Sequence, residues 1–374
     1  MLKTFRTCFA AALLAPLAAL SQTPPAAPAT PPAAEAAKPP PKWYDTVEIH
    51  GLVDTSFSAN LNQTQASPNE LRVFDALNGF QLSYAKLWTQ LAPTTPFTGG
   101  FRVDLGFGQA AAILNNSGSY GLGPLITPSS GIGAVAVQQA YGSLKLPFDV
   151  VVDGGKFVTN AGAEVIEAKD NWLYSRSLLF GFAIPFTHTG VRATVPIPGV
   201  EGLSFMAGLF NGFDNPPGAV GSSKAGHAAL VYSGPSSTTV VLNLLYGKPL
   251  PGQQDKTLVD VVLARAFGDL ALNVNFDYGD QNNTKYWGVA GMARYSLLGD
   301  KLRISARGEY LNDDDGLIFG ASNKYFEGTL GIAIPVGSQV EFRVEGRHDR
   351  MDTAAFATGK DNQTTLQVAA LAWF

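Results

Sequence analysis

Few residues of this sequence have the types and spacing needed for chemistry. The four histidines are far apart and lack the spacing of a zinc site: His50, His188, His227 and His348. Asp313–Asp315 is an acidic run, but its spacing is not that of a calcium loop. A nucleophilic hydrolase would need a serine and a histidine on one face of a strand, and no such pair is apparent. The sequence therefore predicts no metal, no cofactor and no enzyme.

A second set of candidates is charged. The polar faces of late segments carry five arginines and a glutamate: Arg294, Arg303, Arg307, Glu309, Arg343 and Arg347. If these side chains line a water-filled passage, they would set its ion preference, as charged rings do. Alternatively, the arginines pair with Glu309, Glu341 and Glu345 across neighbouring strands and stabilise the sheet. Both interpretations stay open at this point.

Alternating apolar and polar residues predict the strands that must position these charges. In 270–278, Val274 lies on the apolar face, and Asn273 and Asn275 lie on the opposite, polar face. The last stretch, 363–374, alternates in the same way and ends on the aromatic Phe374. A soluble β-sandwich shows the same alternation, so the pattern alone does not separate a sandwich from a membrane barrel.

The lengths of the connections favour a barrel. Short links such as Pro147–Asp149 and Phe267–Asp269 alternate strictly with longer ones such as Gln109–Gly133 and His348–Asn362. Transmembrane barrels have short periplasmic turns and longer outer loops. Seven short and eight longer links predict an all-β protein: a transmembrane antiparallel up-and-down β-barrel of about 16 strands, with both termini periplasmic. A barrel of that size encloses an aqueous channel.

The N-terminal residues predict export. Residues 1–21 have the basic start and apolar core of a signal peptide, and they contain the one cysteine of the chain, Cys8. Residues 22–42 are rich in proline and alanine and predict an extended periplasmic linker, which leaves 43–374 for the barrel. The net charge of −4 argues against a nucleic-acid partner.

The segment 155–192 resembles the β-barrel porins of the OmpL-like family from Gram-negative bacteria. The matching pieces are Gly155-Lys156-Phe157, Gly162 with Glu164 and Glu167, Asn171 with Tyr174-Ser175-Arg176-Ser177, Ala183-Ile184-Pro185, and Thr189-Gly190-Val191-Arg192. The likeness extends from about Trp43 to Phe374. It implies an outer-membrane channel for small hydrophilic solutes, but it supplies no substrate and no proven functional residues. Phe374 resembles the terminal aromatic assembly signal of outer-membrane barrels.

The long link Thr159–His188 is the third outer loop, and its composition predicts that it folds inward. Its aromatic and aliphatic residues are too apolar for a free surface loop. We expect Glu164, Glu167 and Asp170 to point into the channel as its constriction, opposite the inward arginines. Arg176 and Arg192 are the remaining constriction candidates, and they could instead pair with these acids.

The sequence thus predicts a porin for passive diffusion of small hydrophilic solutes and ions. Two alternatives are a substrate-specific outer-membrane channel and a barrel that serves as an adhesin or envelope anchor. The expected partners are outer-membrane lipid and lipopolysaccharide, the barrel-assembly machinery and the permeating solutes. A homotrimer is an expectation by analogy with other sixteen-stranded porins.

Overall fold

The computed structural model describes residues 42–62, 68–116, 135–214, 224–354, 356 and 358–374. The predicted signal peptide (1–21) and nearly all of the proline-rich linker (22–42) lie outside the described residues. Before the first strand, the chain forms a short 3-10 turn at Trp43–Thr46.

Sixteen strands follow one another along the chain: β1 (Glu48–Asn60), β2 (Gly79–Leu91), β3 (Gly99–Phe107), β4 (Val135–Lys145), β5 (Val151–Val158), β6 (Thr187–Pro196), β7 (Leu203–Phe210), β8 (Ala225–Ser233), β9 (Thr239–Gly247), β10 (Lys256–Phe267), β11 (Leu270–Gln281), β12 (Thr284–Leu297), β13 (Leu302–Asp313), β14 (Asn323–Val336), β15 (Val340–Met351) and β16 (Asn362–Trp373). Each strand pairs antiparallel with its neighbours, and β1 pairs with β16 to close the barrel. The prediction of a sixteen-stranded up-and-down barrel is confirmed.

The connections have unequal lengths at the two ends of the barrel. At the short-turn end they range from the two residues 268–269 to the seven residues 92–98. At the long-loop end they reach the 28 residues 159–186, although 282–283 is only a two-residue turn. One long-loop connection contains the helix α1 (Gln109–Asn116). Among the described residues, no helix is long and apolar enough to span a membrane.

The strand faces agree with the alternation in the sequence. Val274 is 43 % exposed on the outside of the barrel, whereas its neighbour Asn275 is 1 % exposed on the inside. Asn275 Nδ2 donates to Asp260 Oδ1 (2.8 Å), and Asn275 Oδ1 accepts from Ala163 N (3.3 Å). The inside is therefore filled by protein at this level rather than by water alone.

Two β-bulges break the alternation on β2 and β4. The registers β1–β2 and β3–β4 each skip one residue, at Ser83 and at Gln138. A bulge turns two successive side chains to the same face. Ser83 and Tyr84 are consequently both buried, and Tyr84 Oη donates to Gln138 Oε1 across the interior.

An apolar core fills part of the barrel interior near the long-loop end. Residues from four long-loop connections contribute to it: Leu71, Phe74, Ile113, Leu114, Phe180, Phe186 and Phe213. The strands add inward-facing residues to the same core: Leu245, Leu258, Tyr286 and Leu311. The inner face of the barrel is therefore polar only in part, and the loops pack on it as they would in a soluble domain.

The C-terminal residue completes the seam between β1 and β16. Phe374 N donates to Gly51 O (3.1 Å), and Gly51 N donates to Phe374 O (3.2 Å). A methyl group on residue 51 would lie 2.3 Å from Phe374 Cε1, so only glycine admits the ring in this position.

Deletion of Phe374 tests its predicted role as an assembly signal. We expect less folded protein in the outer membrane, measured by heat-modifiable gel mobility. Refolding in detergent should change little, because the deletion removes two backbone hydrogen bonds worth about 0.5–1.5 kcal/mol each. The matched variant Phe374→Ala keeps the backbone and removes the ring. An unchanged folded yield in cells for both variants would contradict the assembly role.

Arginine substitutions at two adjacent positions of β11 test which face of the strand points to lipid and which points to the barrel interior. Val274→Arg should cost roughly 2–4 kcal/mol of folding free energy, because it places a charge in hydrocarbon near the midplane. Asn273→Arg, one residue away on the inner face, should cost much less. Asn273 is a better control than Asn275, because the Asn275 side chain is hydrogen-bonded to Asp260 and Ala163. Equal costs in a urea titration would show that the faces are misassigned.

Candidate functional site

The connection between β5 and β6, residues 159–186, is called loop L3 here. It contains a 3-10 turn at Ala168–Asp170 and a π-helical turn at Leu179–Ala183, but no strand pairing. Its backbone polar groups therefore need other partners, because an unpaired buried amide or carbonyl costs about as much as a lost hydrogen bond. Inward-facing side chains of β13, β14 and β15 provide many of these partners.

Two glutamates of this wall bind L3 amides. Glu345 on β15 accepts hydrogen bonds from Tyr174 N (2.6 Å) and Ser175 N (3.1 Å). Glu309 on β13 accepts from the amides of residues 178 (2.6 Å) and 179 (2.7 Å). Each carboxylate thus caps two successive amides, which is the geometry of a charge-assisted hydrogen bond.

Three arginines of the same wall bind L3 carbonyls. Arg343 donates to the carbonyl oxygens of residues 168 (2.8 Å), 171 (3.0 Å) and 173 (3.0 Å). Arg347 Nη1 donates to Arg176 O (2.5 Å), and Arg307 Nη1 donates to Ser175 O (2.9 Å). These five side chains are called the anchor wall: Arg307, Glu309, Arg343, Glu345 and Arg347.

Glu164 of L3 is an ionic partner of the anchor wall. Its Oε1 lies 2.9 Å from Arg307 Nη1, and its Oε2 accepts from Ser177 N (2.7 Å). Arg307 Nε also pairs with Glu327 on β14 (2.9 Å). The side chains of Arg307 and Glu164 are 0 % and 4 % exposed, so this pair is shielded from water.

The wall arginines also pair with acids. Of the three glutamates that the sequence offered as partners, Glu341 is bound by arginines, whereas Glu309 and Glu345 accept hydrogen bonds from L3 amides. Arg343 Nε lies 2.6 Å from Glu341, and Arg347 Nη2 lies 2.8 Å from Asp349. Arg303, nearer the short-turn end, bridges Glu341 (2.9 Å) and Asp300 and stays 26 % exposed. Arg294 lies over the Trp172 ring of L3, 5.1 Å from its centroid.

On the side of L3 opposite the anchor wall, Glu167 connects L3 to β2 and β4. It pairs with Lys86 and accepts from Gln138 Nε2 (2.8 Å). Lys86 also lies 2.6 Å from Asp104, which pairs with Arg102 (2.8 Å). Burial opposes ionisation of Glu167, but the Lys86 ammonium and the hydrogen bonds outweigh it and lower the pKa of Glu167 to about 2. Glu167 is therefore negative at any physiological pH.

The charged side chains beside Glu167 keep contact with water. Arg192 on β6 pairs with Asp153 on β5 (2.9 Å), and the two side chains are 15 % and 11 % exposed. Asp170 is 44 % exposed, and its carboxylate pairs with the neighbouring Lys169 ammonium (2.9 Å). The partly exposed members are called the accessible ring: Arg102, Asp153, Glu167, Lys169, Asp170 and Arg192.

Arg176 lies outside this ring. It donates to the carbonyls of Ile166 and Tyr174 and lies over the Phe74 ring, 5.1 Å from its centroid. In the described residues, neither Arg176 nor Arg192 forms an ion pair with the three L3 acids. The sequence left open whether Arg176 and Arg192 pair with these acids. In the structure Glu164 pairs with Arg307, and Glu167 pairs with Lys86.

Sequence reasoning missed Lys86 and Gln138 as contacts of L3, and Asp104 as the second acidic partner of Lys86. The bulge at Gln138 hides its inward direction, and Lys86 lies on a strand whose alternation is interrupted at Ser83. The signal available in the sequence was an interruption of the apolar–polar alternation within a strand, because a bulge changes the face to which a side chain points.

Two of the four histidines are neighbours: the ring centroids of His188 and His227 lie 5.9 Å apart. His188 stacks on Phe210 (ring centroids 4.4 Å apart), and His227 Nε2 lies 2.9 Å from Asn243 Oδ1. His50 stacks on Trp88 (5.0 Å), and His348 Nδ1 lies 2.9 Å from Thr364 Oγ1. Within the described part of the chain, no group of three or more histidine, cysteine or acidic residues could hold a metal ion.

The closed sixteen-stranded barrel with unequal ends is that of an outer-membrane porin. Similar solved structures include a loop-deletion mutant of OmpT from Vibrio cholerae (12 % identity, TM-score 0.59, covering 88 % of this chain and 99 % of that one). Others are an anion-selective porin from Comamonas acidovorans (13 %, 0.57, 88 % and 99 %) and OprB from Pseudomonas putida (13 %, 0.60, 88 % and 94 %). At these identities the likeness shows the fold.

The family is shown by sequence. Residues 46–374 match the family described as "Putative beta-barrel porin-2, OmpL-like", and the chain belongs to it. No curated protein matches the chain in sequence. The protein is thus a porin of the Gram-negative outer membrane that forms a channel for small solutes.

Removal of one anchor tests whether the anchor wall holds L3. Glu345→Ala leaves the amides of Tyr174 and Ser175 unpaired, which should cost roughly 1–3 kcal/mol for each amide. We expect a lower free energy of unfolding in urea and noisier single-channel currents, because L3 loses a fixed position. Glu201→Ala, in an exposed turn, is the control and should change neither. Wild-type stability and currents in Glu345→Ala would contradict the anchoring role.

Proposed function

We propose that the protein is a passive, non-enzymatic channel for small hydrophilic solutes and ions, whose solutes pass between L3 and the accessible ring. The observation that carries this proposal is the difference in exposure between the two sides of L3. The ion-paired side chains of the anchor wall are at most 5 % exposed, whereas those of the accessible ring are 11–44 % exposed. Water therefore reaches one side of L3 and is excluded from the other.

Glu167, Asp170 and Arg192 are the constriction residues in this proposal, with Arg102, Asp153 and Lys169. The accessible ring then holds three basic and three acidic side chains facing one passage. A balanced set creates a transverse field and only weak net selectivity, in contrast to rings of a single sign. Glu164 and Arg176 serve L3 structurally, since both are buried and bind backbone groups of L3. Arg294 and Arg303 extend the charged lining toward the short-turn end.

The surroundings of the barrel follow from the same proposal. Both termini lie on the periplasmic side together with the short turns, as in other transmembrane barrels. Outward aromatic rings contact outer-membrane lipid and lipopolysaccharide. This is supported by the row of neighbouring, mutually tilted rings Trp287, Tyr310 and Phe326, whose centroids are 5.2 and 5.0 Å apart. The barrel-assembly machinery inserts the chain. A homotrimer is supported by a similar structure, a trimer form of OmpT from Vibrio cholerae.

Charge neutralisation tests the proposed passage. Glu167→Gln together with Asp170→Asn leaves three basic and one acidic member in the accessible ring, so permeability should shift toward anions. Reversal potentials across planar bilayers in a salt gradient measure this shift. Glu164→Gln is the matched control, because it removes a shielded carboxylate and should lower folded stability without changing selectivity. Unchanged selectivity in the folded double variant would contradict the passage, and absence of ohmic conductance in the wild type would contradict the channel.

A further inference from the structure

A second cavity lies at the long-loop end, apart from the accessible ring. Its volume is about 100 Å³. Residues from the end of L3 and from three further long-loop connections line it, together with the first residue of β10 and the last residue of β11. At about 10–15 Å³ for each water-sized position, it has room for a molecule of seven to ten heavy atoms. No residue of the accessible ring lines it.

The walls of this cavity are apolar and polar in about equal parts, and several of the apolar groups are aromatic rings. Phe182 and Phe319 pack against each other on one side, with ring centroids 5.0 Å apart. Phe186, Phe213 and Leu317 complete the apolar lining. Such a mixed lining suits a molecule that has both an apolar part and polar groups, because small-molecule sites combine apolar walls with placed polar groups.

One carboxylate is fixed at the edge of the cavity. Asp214 Oδ1 accepts hydrogen bonds from Phe186 N (2.7 Å) and Thr187 N (2.8 Å). The backbone of Asp214 is in the left-handed region (φ 57°) and its amide donates to Thr187 O (3.1 Å). Two hydrogen bonds to the carboxylate and one from the backbone amide of the same residue hold the carboxylate in a single orientation.

One ammonium group also lines the cavity, and it has no ionic partner among the described residues. Lys256 Nζ lies 4.7 Å from the centroid of the Tyr286 ring, but it neither pairs with a carboxylate nor donates a hydrogen bond to any residue that the structure describes. Asp214 and Lys256 therefore line the same small cavity without meeting each other. Opposite charges that face one space without contact leave room for a dipolar molecule between them.

We propose that this cavity binds a small zwitterion with a branched aliphatic side chain, of the chemistry of an α-amino acid. Its ammonium group binds Asp214, its carboxylate binds Lys256 and its side chain packs among the phenylalanines. The entrance of the channel then retains such solutes before they reach the accessible ring. This consequence for transport rests on the proposed channel function, whereas binding itself does not.

The ionisation of Asp214 makes the binding depend on pH. Burial raises the pKa of Asp214 to about 7, although the amides of Thr187 and Phe186 and the ammonium groups of Lys156 and Lys256 act against it. The other charged groups near Lys256 are Asp277 and Asp313. At about pH 5.5 Asp214 is mostly protonated, and at about pH 7.5 it is mostly ionised. Affinity for the zwitterion should therefore rise across this interval.

Calorimetric titration of the refolded full chain in detergent tests the proposal, with L-leucine as the probe. Glycine lacks the side chain, 4-methylpentanoate lacks the ammonium group and isoamylamine lacks the carboxylate. Each should bind at least about tenfold more weakly than leucine, since each loses one of three contacts. Leucine should bind more weakly at about pH 5.5 than at about pH 7.5.

Two charge variants provide the decisive comparison. Asp214→Asn keeps an oxygen acceptor and tolerates the left-handed backbone, and Lys256→Met keeps the apolar stem. Asp214→Asn should weaken leucine about tenfold, abolish the pH dependence and leave 4-methylpentanoate unchanged. Lys256→Met should weaken leucine and leave isoamylamine unchanged. Heat-modifiable mobility verifies that both variants are folded.

The outcomes separate this site from the channel. Absence of leucine binding, or leucine no tighter than glycine, in protein that conducts ohmic currents would overturn the cavity proposal and leave the channel intact. Leucine affinity unchanged in both variants would also overturn it. Leucine binding in protein that does not conduct would support the cavity and contradict the channel.

Discussion

The structure depends on one constraint, the hydrogen-bonding need of a polypeptide segment that lies inside a membrane barrel. L3 has no strand partner, and irregular backbone at such a depth is tolerated only when protein or water satisfies its polar groups. The anchor wall meets this need with carboxylates for amides and guanidinium groups for carbonyls. The same side chains are charged for a structural reason, because charged groups make the strongest hydrogen bonds available to a backbone.

This anchoring gives the interior two unlike sides. Where L3 binds β13, β14 and β15, salt bridges such as Arg307 with Glu164 are shielded and hold the loop. Where L3 faces β2 to β6, Glu167 connects to Lys86, while Arg192 and Asp153 keep contact with water. The apolar core closes part of the long-loop end further. In the proposed function, the side of L3 that the anchors occupy determines the position of the solute path.

The barrel could be predicted from the sequence because period-two alternation and turn spacing are local properties. The strand count, the outward direction of Val274 and the β1–β16 closure all rest on them. The partners of L3 could not be predicted, because hydrogen bonds such as that between Tyr174 and Glu345 join residues 171 positions apart. The bulges at Ser83 and Gln138 and the apolar inner residues of β9 and β10 also break the pattern on which the prediction rested.

Thiol modification measures the central claim that solutes pass on the accessible side of L3. The one cysteine of the chain, Cys8, lies in the predicted signal peptide, so a single introduced cysteine would be the only thiol of the mature protein. Ser143→Cys lies beside Asp153, and Thr329→Cys lies beside Arg307. A charged methanethiosulfonate should change the single-channel conductance of Ser143→Cys and leave Thr329→Cys unmodified. Conductance that responds at residue 329 and is unchanged at residue 143 would contradict the account.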